Sequence, residues 1–221
     1  MARDTSVIFI GNDDYSSNRK NKYLKLFWVN PRELPYRILG SFVPPIAGSK
    51  YCKIYVDLLG PSLALLFMAA ILHYGHSSKV SYAASQVSPT ETLLIYSIVM
   101  PILCYAVSRI GKSKNTFLET VSLIGYSLFG HVLTLSVSLL LYQEKSNVFF
   151  FVCFLIFGGL SALRIALVFL MSIPLPAARL IVCSLIATLH LLFLIFIHFT
   201  YMHKTFIYGI AGNSVAKHKH L

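Results

Sequence analysis

Four ionisable side chains lie inside long apolar stretches of this sequence and are the first candidates for chemistry: Glu119, His131, Arg164 and His190. A charge inside a membrane is costly, so such residues usually serve an ion path, a proton relay or a structural pairing. The two histidines, together with His198 in the last apolar stretch, invite a proton-relay or metal interpretation. They lie on different helical turns without an intramembrane Asp or Cys beside them, which favours hydrogen bonding between helices over metal binding.

The motifs of well-known enzyme classes are missing from the chain. It has no HExxH, no GxSxG, no paired intramembrane aspartates and no acidic cluster suited to a metal and pyrophosphate. Its four cysteines are dispersed without CxxC spacing, at Cys52, Cys104, Cys153 and Cys183. The sequence therefore predicts no catalytic centre, no metal site and no cofactor.

The apolar stretches that carry these residues exclude an ordinary soluble protein. The chain is 56% hydrophobic and 12% charged, with a mean hydropathy of +0.69. A helix needs about 20 mostly apolar residues to cross a bilayer. Five stretches come close, which predicts an all-α polytopic membrane protein with spans at 57–74, 87–108, 117–142, 148–173 and 180–202. Pro89, Glu91 and Pro101 interrupt the second, and a re-entrant first segment is an alternative.

The distribution of basic residues predicts the orientation. Nine of the 19 Lys and Arg precede the first span. The second loop carries three and the flanking loops one each: Arg109, Lys112 and Lys114 against Lys79 and Lys145. The positive-inside rule then places the N-terminal region 1–56 in the cytosol and the tail 203–221 in the lumen. The net charge of +11 is explained by an anionic cytosolic leaflet as partner rather than by nucleic acid.

Two of the predicted spans carry a patterned face. The third gathers small and hydrogen-bonding side chains, which predicts contact with protein: Glu119, Tyr126, Ser127, Gly130, His131, Thr134 and Ser138. The fourth repeats small residues at Gly158, Ala162 and Ala166, which allow another helix to approach closely. Arg164 points away from this stripe, about 13 Å from the predicted cytosolic end. We expect its side chain either to snorkel to that end or to meet Glu119.

A short amphipathic helix is predicted at 31–42, ahead of the first span. Asn30 can cap it, Pro31 suits its first position and Glu33 suits a capping box. Four apolar residues then share one side: Leu34, Ile38, Leu39 and Phe42. The helix is expected to lie on the bilayer surface, and an extended linker is the alternative.

Four stretches of the chain resemble the Yip-domain (YIPF) family of Golgi and ER membrane proteins, and within it the member-three branch. They are Asp57-Leu-Leu-Gly-Pro61, Leu123-Ile-Gly-Tyr-Ser-Leu-Phe-Gly-His131, Gly158-Gly-Leu-Ser-Ala-Leu-Arg164, and Leu185 to Tyr201. The resemblance covers roughly 26–208. It implies five spans with a cytosolic N-terminus and a lumenal C-terminus. It also implies a non-enzymatic scaffold that assembles with other family members, binds Rab GTPases and maintains Golgi organisation.

Two hypotheses about function follow. In the first, the stripe of Gly158, Ala162 and Ala166 packs against the spans of another Yip-family protein, with Tyr126 and Gly130 adding to the packing surface. In the second, the chain is a small proton- or ion-coupled transporter built around Glu119, His131, Arg164 and His190. Carriers usually show related halves with broken helices, and no inverted repeat is visible here.

Overall fold

The computed structural model describes residues 26–27, 29–45, 54–77, 87–141 and 147–203. Within these ranges the regular secondary structure is entirely helical, and five of the helices are long and apolar enough to cross a membrane. The prediction of an all-α protein with five spans is therefore confirmed. A short helix precedes them, and the order is α1 (Leu34–Gly40), α2 (Leu59–Ser77), α3 (Pro89–Ile110), α4 (Phe117–Leu140), α5 (Val148–Ser172) and α6 (Pro176–Met202). Residues 1–25 and the predicted lumenal tail beyond His203 lie outside the described ranges.

Two of the three residues predicted to interrupt the second span, Pro89 and Glu91, instead begin it. Ser88 Oγ accepts a hydrogen bond from the Glu91 amide at 3.1 Å, and Glu91 Oε2 accepts one from the Ser88 amide at 3.1 Å. Pro89 occupies the first turn, where its missing N–H removes no helical hydrogen bond. Pro101 is accommodated within α3.

The bounds of the first and fifth spans also differ from the predicted 57–74 and 180–202, since α2 is Leu59–Ser77 and α6 is Pro176–Met202. Continuous helix runs through α2 for 19 residues, so the re-entrant alternative does not apply. α6 begins at Pro176, four residues before the predicted start at 180, and its first turn includes Arg179. Arg179 Nε donates to the Ile173 carbonyl at 2.9 Å. The structure thus places the charge of this first turn on a carbonyl at the end of α5.

Helix α4 is the centre of the bundle. It packs most extensively against α2 and also against α3 and α5, while α5 and α6 form the other large helix pair. All seven residues of its predicted polar face are buried. Leu128 and Leu135, which lie off that face, are also at most 1% exposed. The helix is therefore surrounded by protein over most of its circumference.

Close helix contacts are made at two glycines of α4. A Cβ added at Gly130 would lie 2.5 Å from Ser161 Oγ and 2.9 Å from the Phe157 carbonyl oxygen, both on α5. A Cβ at Gly125 would overlap the ring of Pro61 on α2. These positions let α4 approach two neighbours at backbone distance, as small residues do in membrane helices.

The short helix α1 is narrower than the predicted 31–42. Pro35 explains the later start, because proline is tolerated only in the first turn of a helix and here sits within it. Asn30 Oδ1 accepts a hydrogen bond from the Arg32 amide at 3.2 Å instead of capping a longer helix. Ile38 and Phe42 pack against the core, whereas Leu39 is 64% exposed.

Candidate functional site

The segment before α2 is attached to the bundle through one buried carboxylate, Asp57. This residue is 2% exposed, and its Oδ2 accepts a hydrogen bond from Arg37 Nη1 at 2.8 Å. The Tyr126 hydroxyl lies 2.8 Å from Oδ2 and 3.0 Å from Oδ1. The Gly60 amide donates to Oδ1 at 3.1 Å, which ties the carboxylate to the first turn of α2. Asp57 thus joins α1, α2 and α4 at one point.

Arg37 has a second acidic partner. Its Nη2 donates to Glu33 Oε2 at 2.8 Å, one turn earlier in the chain. Burial disfavours the charged guanidinium, but the hydrogen bonds to Glu33 and Asp57 outweigh that cost and leave the pKa of Arg37 above its ordinary value. The guanidinium also lies 4.9 Å from the centre of the Tyr55 ring. Arg37 is therefore a permanently charged link between α1 and the membrane domain.

Ser122 on α4 holds the chain just before α2. Its hydroxyl lies within hydrogen-bond distance of two carbonyl oxygens, those of Tyr55 and Asp57, the latter at 3.0 Å. The extended stretch that leads into α2 is therefore fixed through its backbone as well as through the Asp57 carboxylate. Both attachments are made to the same face of α4.

Arg164 reaches the same segment from α5. Its Nη1 donates to the Gly40 carbonyl and, at 2.7 Å, to the Val43 carbonyl, and the residue is 5% exposed. The Gly40 carbonyl belongs to the last residue of α1 and the Val43 carbonyl lies just beyond it, where the partial negative charge of a helix end favours a cation. The Glu119 carboxylate instead accepts a hydrogen bond from the Thr116 amide at 2.6 Å, at the start of α4.

The expectation of a contact between Arg164 and Glu119 is thus wrong. It assumed that the preceding segment lay away from the bundle. The segment instead folds back against α5 and brings carbonyl acceptors to the guanidinium.

The two predicted histidines meet in the core of the bundle. His131 Nε2 lies 3.0 Å from the His190 carbonyl oxygen, and the ring centres are 4.1 Å apart. A carbonyl only accepts, so His131 carries its proton on Nε2. The Tyr96 hydroxyl shares a hydrogen bond of 2.6 Å with His190 Nδ1. Tyr96, His131 and His190 belong to three different spans and form one buried polar cluster, here called the histidine cluster.

The histidine cluster does not include Glu119 or Arg164. Within the described ranges, no group of three His, Cys, Asp or Glu side chains is placed to hold a metal ion. His198, the third histidine, stacks on Phe150 with ring centres 3.5 Å apart. What the cluster does by its geometry is connect α3, α4 and α6 through hydrogen bonds shielded from water.

The small-residue stripe of α5 is covered by the protein's own helices. Gly158 and Ala162 are buried, and a Cβ added at Gly158 would lie 2.9 Å from Leu194 on α6. Ala166 also packs against the core. The hypothesis that this stripe meets a partner protein therefore needs correction, because it serves contacts inside the chain. Periodicity reveals that a helix approaches closely but not to which protein that helix belongs.

An apolar groove of about 510 Å³ runs between α3 and α6 on the outside of the bundle. Its walls are almost wholly hydrocarbon and include Ile95, Val99, Leu192 and Phe196. Tyr96 also lines it, so the groove borders the histidine cluster.

Sequence reasoning missed four contributors to these sites: Arg37 and Asp57 as an ion pair, Ser122 as a donor to the chain before α2, and Tyr96 as the partner of His190. Asp57 carried a signal, since it lies three residues before Gly60 at the start of a helix, where a capping acid belongs. Tyr96 carried none, because a tyrosine in an apolar span is most often lipid-facing or core.

Comparison with known proteins identifies the family. The YIPF3 C-terminal domain matches residues 31–202. The matched range starts before α1 and ends with α6. It therefore includes all five spans and the part ahead of α2 that is attached to the bundle, here called the docked segment and described at 34–45 and 54–57. No solved structure matches the chain. Because the match covers more than half of the sequence, the chain belongs to the family of Yip-type membrane proteins defined by the YIPF3 C-terminal domain.

Proposed function

We propose that this protein is a non-enzymatic Golgi membrane protein that assembles with another Yip-family member and supports Golgi organisation and vesicle trafficking. The observation that carries the proposal is the family match over residues 31–202. The geometry of the polar side chains supports it. Asp57, Arg164 and the histidine cluster bond to other spans or to the docked segment, which is what a scaffold requires. Rab GTPases are proposed as further partners on the cytosolic side.

The surface for such a partner lies on the outward faces of the spans, since the stripe on α5 is occupied. Helix α3 presents large apolar side chains over almost three turns: Leu94, Ile95, Ile98, Val99 and Ile102, each between 51% and 59% exposed. In a bilayer these side chains contact either lipid or another protein. A partner that packs here adds van der Waals contact without displacing any helix of this chain.

The proposal is tested by affinity purification of the tagged chain from cells in mild detergent, followed by identification of stoichiometric companions. We expect a Yip-family protein at a constant molar ratio. Tryptophan substitutions at single outward positions of α3, compared with Leu66→Trp on α2, then locate the interface. Purification without any companion from cells with intact Golgi would contradict the proposal.

The histidine cluster supports a second candidate function, a small proton- or ion-coupled transporter. Both imidazoles are fully buried, and within the described part of the chain His131 Nδ1 and His190 Nε2 have no hydrogen-bond partner. Such nitrogens could exchange protons if water reached them. Proton or ion flux into vesicles containing the purified chain, lost in His131→Ala, would favour this function. Absence of flux with retained complex formation would favour the scaffold.

A further inference from the structure

Two independent contacts fix how far α1 lies from the ends of the spans. Arg164 lies eight residues before the end of α5, hence about 12 Å from that end. Tyr126 lies nine residues after the start of α4, hence about 13 Å from the same side of the bundle. Arg164 binds carbonyls at and just after the end of α1, and Tyr126 shares Asp57 with Arg37 of α1. The short helix is therefore held beside the outer turns of α4 and α5 and not beyond them.

This depth falls at the edge of the hydrocarbon region. α4 has 24 residues and α5 has 25, so both are about 36 to 37 Å long, against a hydrocarbon thickness of about 30 Å. The helices are thus about 7 Å longer than the hydrocarbon is thick. If all of this excess lay on the side of Arg164, the backbone of Arg164 would still lie inside the hydrocarbon, because it is about 12 Å from the end of α5. Its extended side chain then brings Gly40 and Val43 to the boundary with the headgroups.

The side of α1 turned away from the bundle is apolar. Tyr36 is 75% exposed and Leu39 is 64% exposed, three residues apart and thus on neighbouring positions of the helix surface. Phe27, earlier in the same segment, is 52% exposed. Tyrosine is enriched where a membrane meets water, because its ring is apolar and its hydroxyl is polar.

Charge identifies the occupant of this face as lipid. The first 53 residues carry nine Lys and Arg against four Asp and Glu. Arg37 is neutralised by its two acidic partners, whereas Arg32 is exposed beside α1. The positive excess in this part of the sequence, together with the exposed Arg32 and the exposed apolar side chains of α1, suits the anionic headgroups of the cytosolic leaflet.

We propose that α1 is an interfacial anchor whose Tyr36 and Leu39 side chains insert into the leaflet on the N-terminal side of the bundle. Lipid of that leaflet covers the exposed face, while Arg37 and Arg164 hold the opposite face on the membrane domain. This goes beyond the proposed complex, since it requires no second protein. It fixes the point from which the preceding residues leave the bilayer.

Tryptophan fluorescence of the full chain in vesicles tests the proposal. Trp28, the single tryptophan of the sequence, is replaced by Phe, and Tyr36→Trp or Leu39→Trp is added. Two quenchers are compared: lipids brominated high on the acyl chain, and iodide in the water on both sides. Phe67→Trp on the outward face of α2 is the lipid reference, and Lys112→Trp in the loop after α3 is the aqueous reference.

We expect both α1 variants to lose fluorescence to the brominated lipids as the Phe67→Trp variant does, and to resist iodide. Quenching by iodide as in the Lys112→Trp variant would overturn the proposal, because α1 would then face water. Protection from both quenchers would overturn it too, since protein would then cover this face. The two variants are read independently, so one that fails to fold leaves the other decisive.

Discussion

Several buried polar residues in this bundle connect segments that are distant in sequence. Asp57 accepts hydrogen bonds from α1, α2 and α4, and Arg164 donates to carbonyls more than 120 residues earlier in the chain. In an environment without water, each of these groups needs a protein partner. Their burial is thus accounted for by structure, and an ionisable residue in a span is not by itself a sign of chemistry.

Asp57→Asn should weaken the attachment of α1 much more than Glu33→Gln. The first removes the buried partner of Arg37, at a cost of about 1–3 kcal/mol. The second removes a carboxylate that is 58% exposed, where an ion pair contributes about 0.5 kcal/mol or less. Thermal unfolding of both variants in the same detergent checks this order. Equal unfolding temperatures for the two would contradict the role given to Asp57.

Gly130→Ala should destabilise the fold, and Gly40→Ala should not. The new methyl group at Gly130 would overlap Ser161 and the Phe157 carbonyl, an overpacking that costs about 1–3 kcal/mol. At Gly40 an added Cβ meets no atom within 4 Å. Comparison of the two unfolding midpoints isolates the close approach of α4 and α5 from the general effect of replacing glycine. A stable Gly130→Ala variant would mean that these helices are further apart.

Among the elements, the short helix α1 shows where local sequence is informative and where it is not. Its existence was predicted from the apolar pattern and its neighbouring proline, whereas both its start and its end lie inside the predicted 31–42. Its docking was not predictable, because Arg37, Asp57 and Arg164 are 20 and more than 100 residues apart and no local pattern relates them. The prediction from the small-residue stripe of α5 was limited in the same way, because the spacing of small residues does not identify the helix that packs against them.

Arg164→Gln should release α1 while leaving the five spans in place. Loss of the charge-assisted bonds to Gly40 and Val43 removes the cation at the end of α1. Hydrogen exchange of the Ser41, Phe42 and Val43 amides should then become faster, with no change in α4. Arg109→Gln, at the exposed end of α3, is the control and should leave exchange in this segment unchanged. Unaltered protection in Arg164→Gln would show that other contacts hold α1.

At the scale of the whole molecule, hydropathy was sufficient to predict five spans because crossing a bilayer imposes a minimum apolar length on each helix. It could not predict that α4 is central or that α3 contacts α6 through Tyr96 and His190, since helix pairing depends on complementary surfaces far apart in sequence. The resulting molecule turns its bonded polar groups inward and leaves large apolar side chains outward. That distribution fits a protein that works by association within the membrane.

Native mass spectrometry of the protein extracted from cells in mild detergent tests this central claim most directly. The account predicts a defined complex whose mass equals one or more copies of this 24.7 kDa chain plus a Yip-family companion in a fixed ratio. Dissociation in the gas phase should release both proteins. A chain that is found only alone or only with copies of itself, and that moves ions or protons across vesicles unaided, would contradict it.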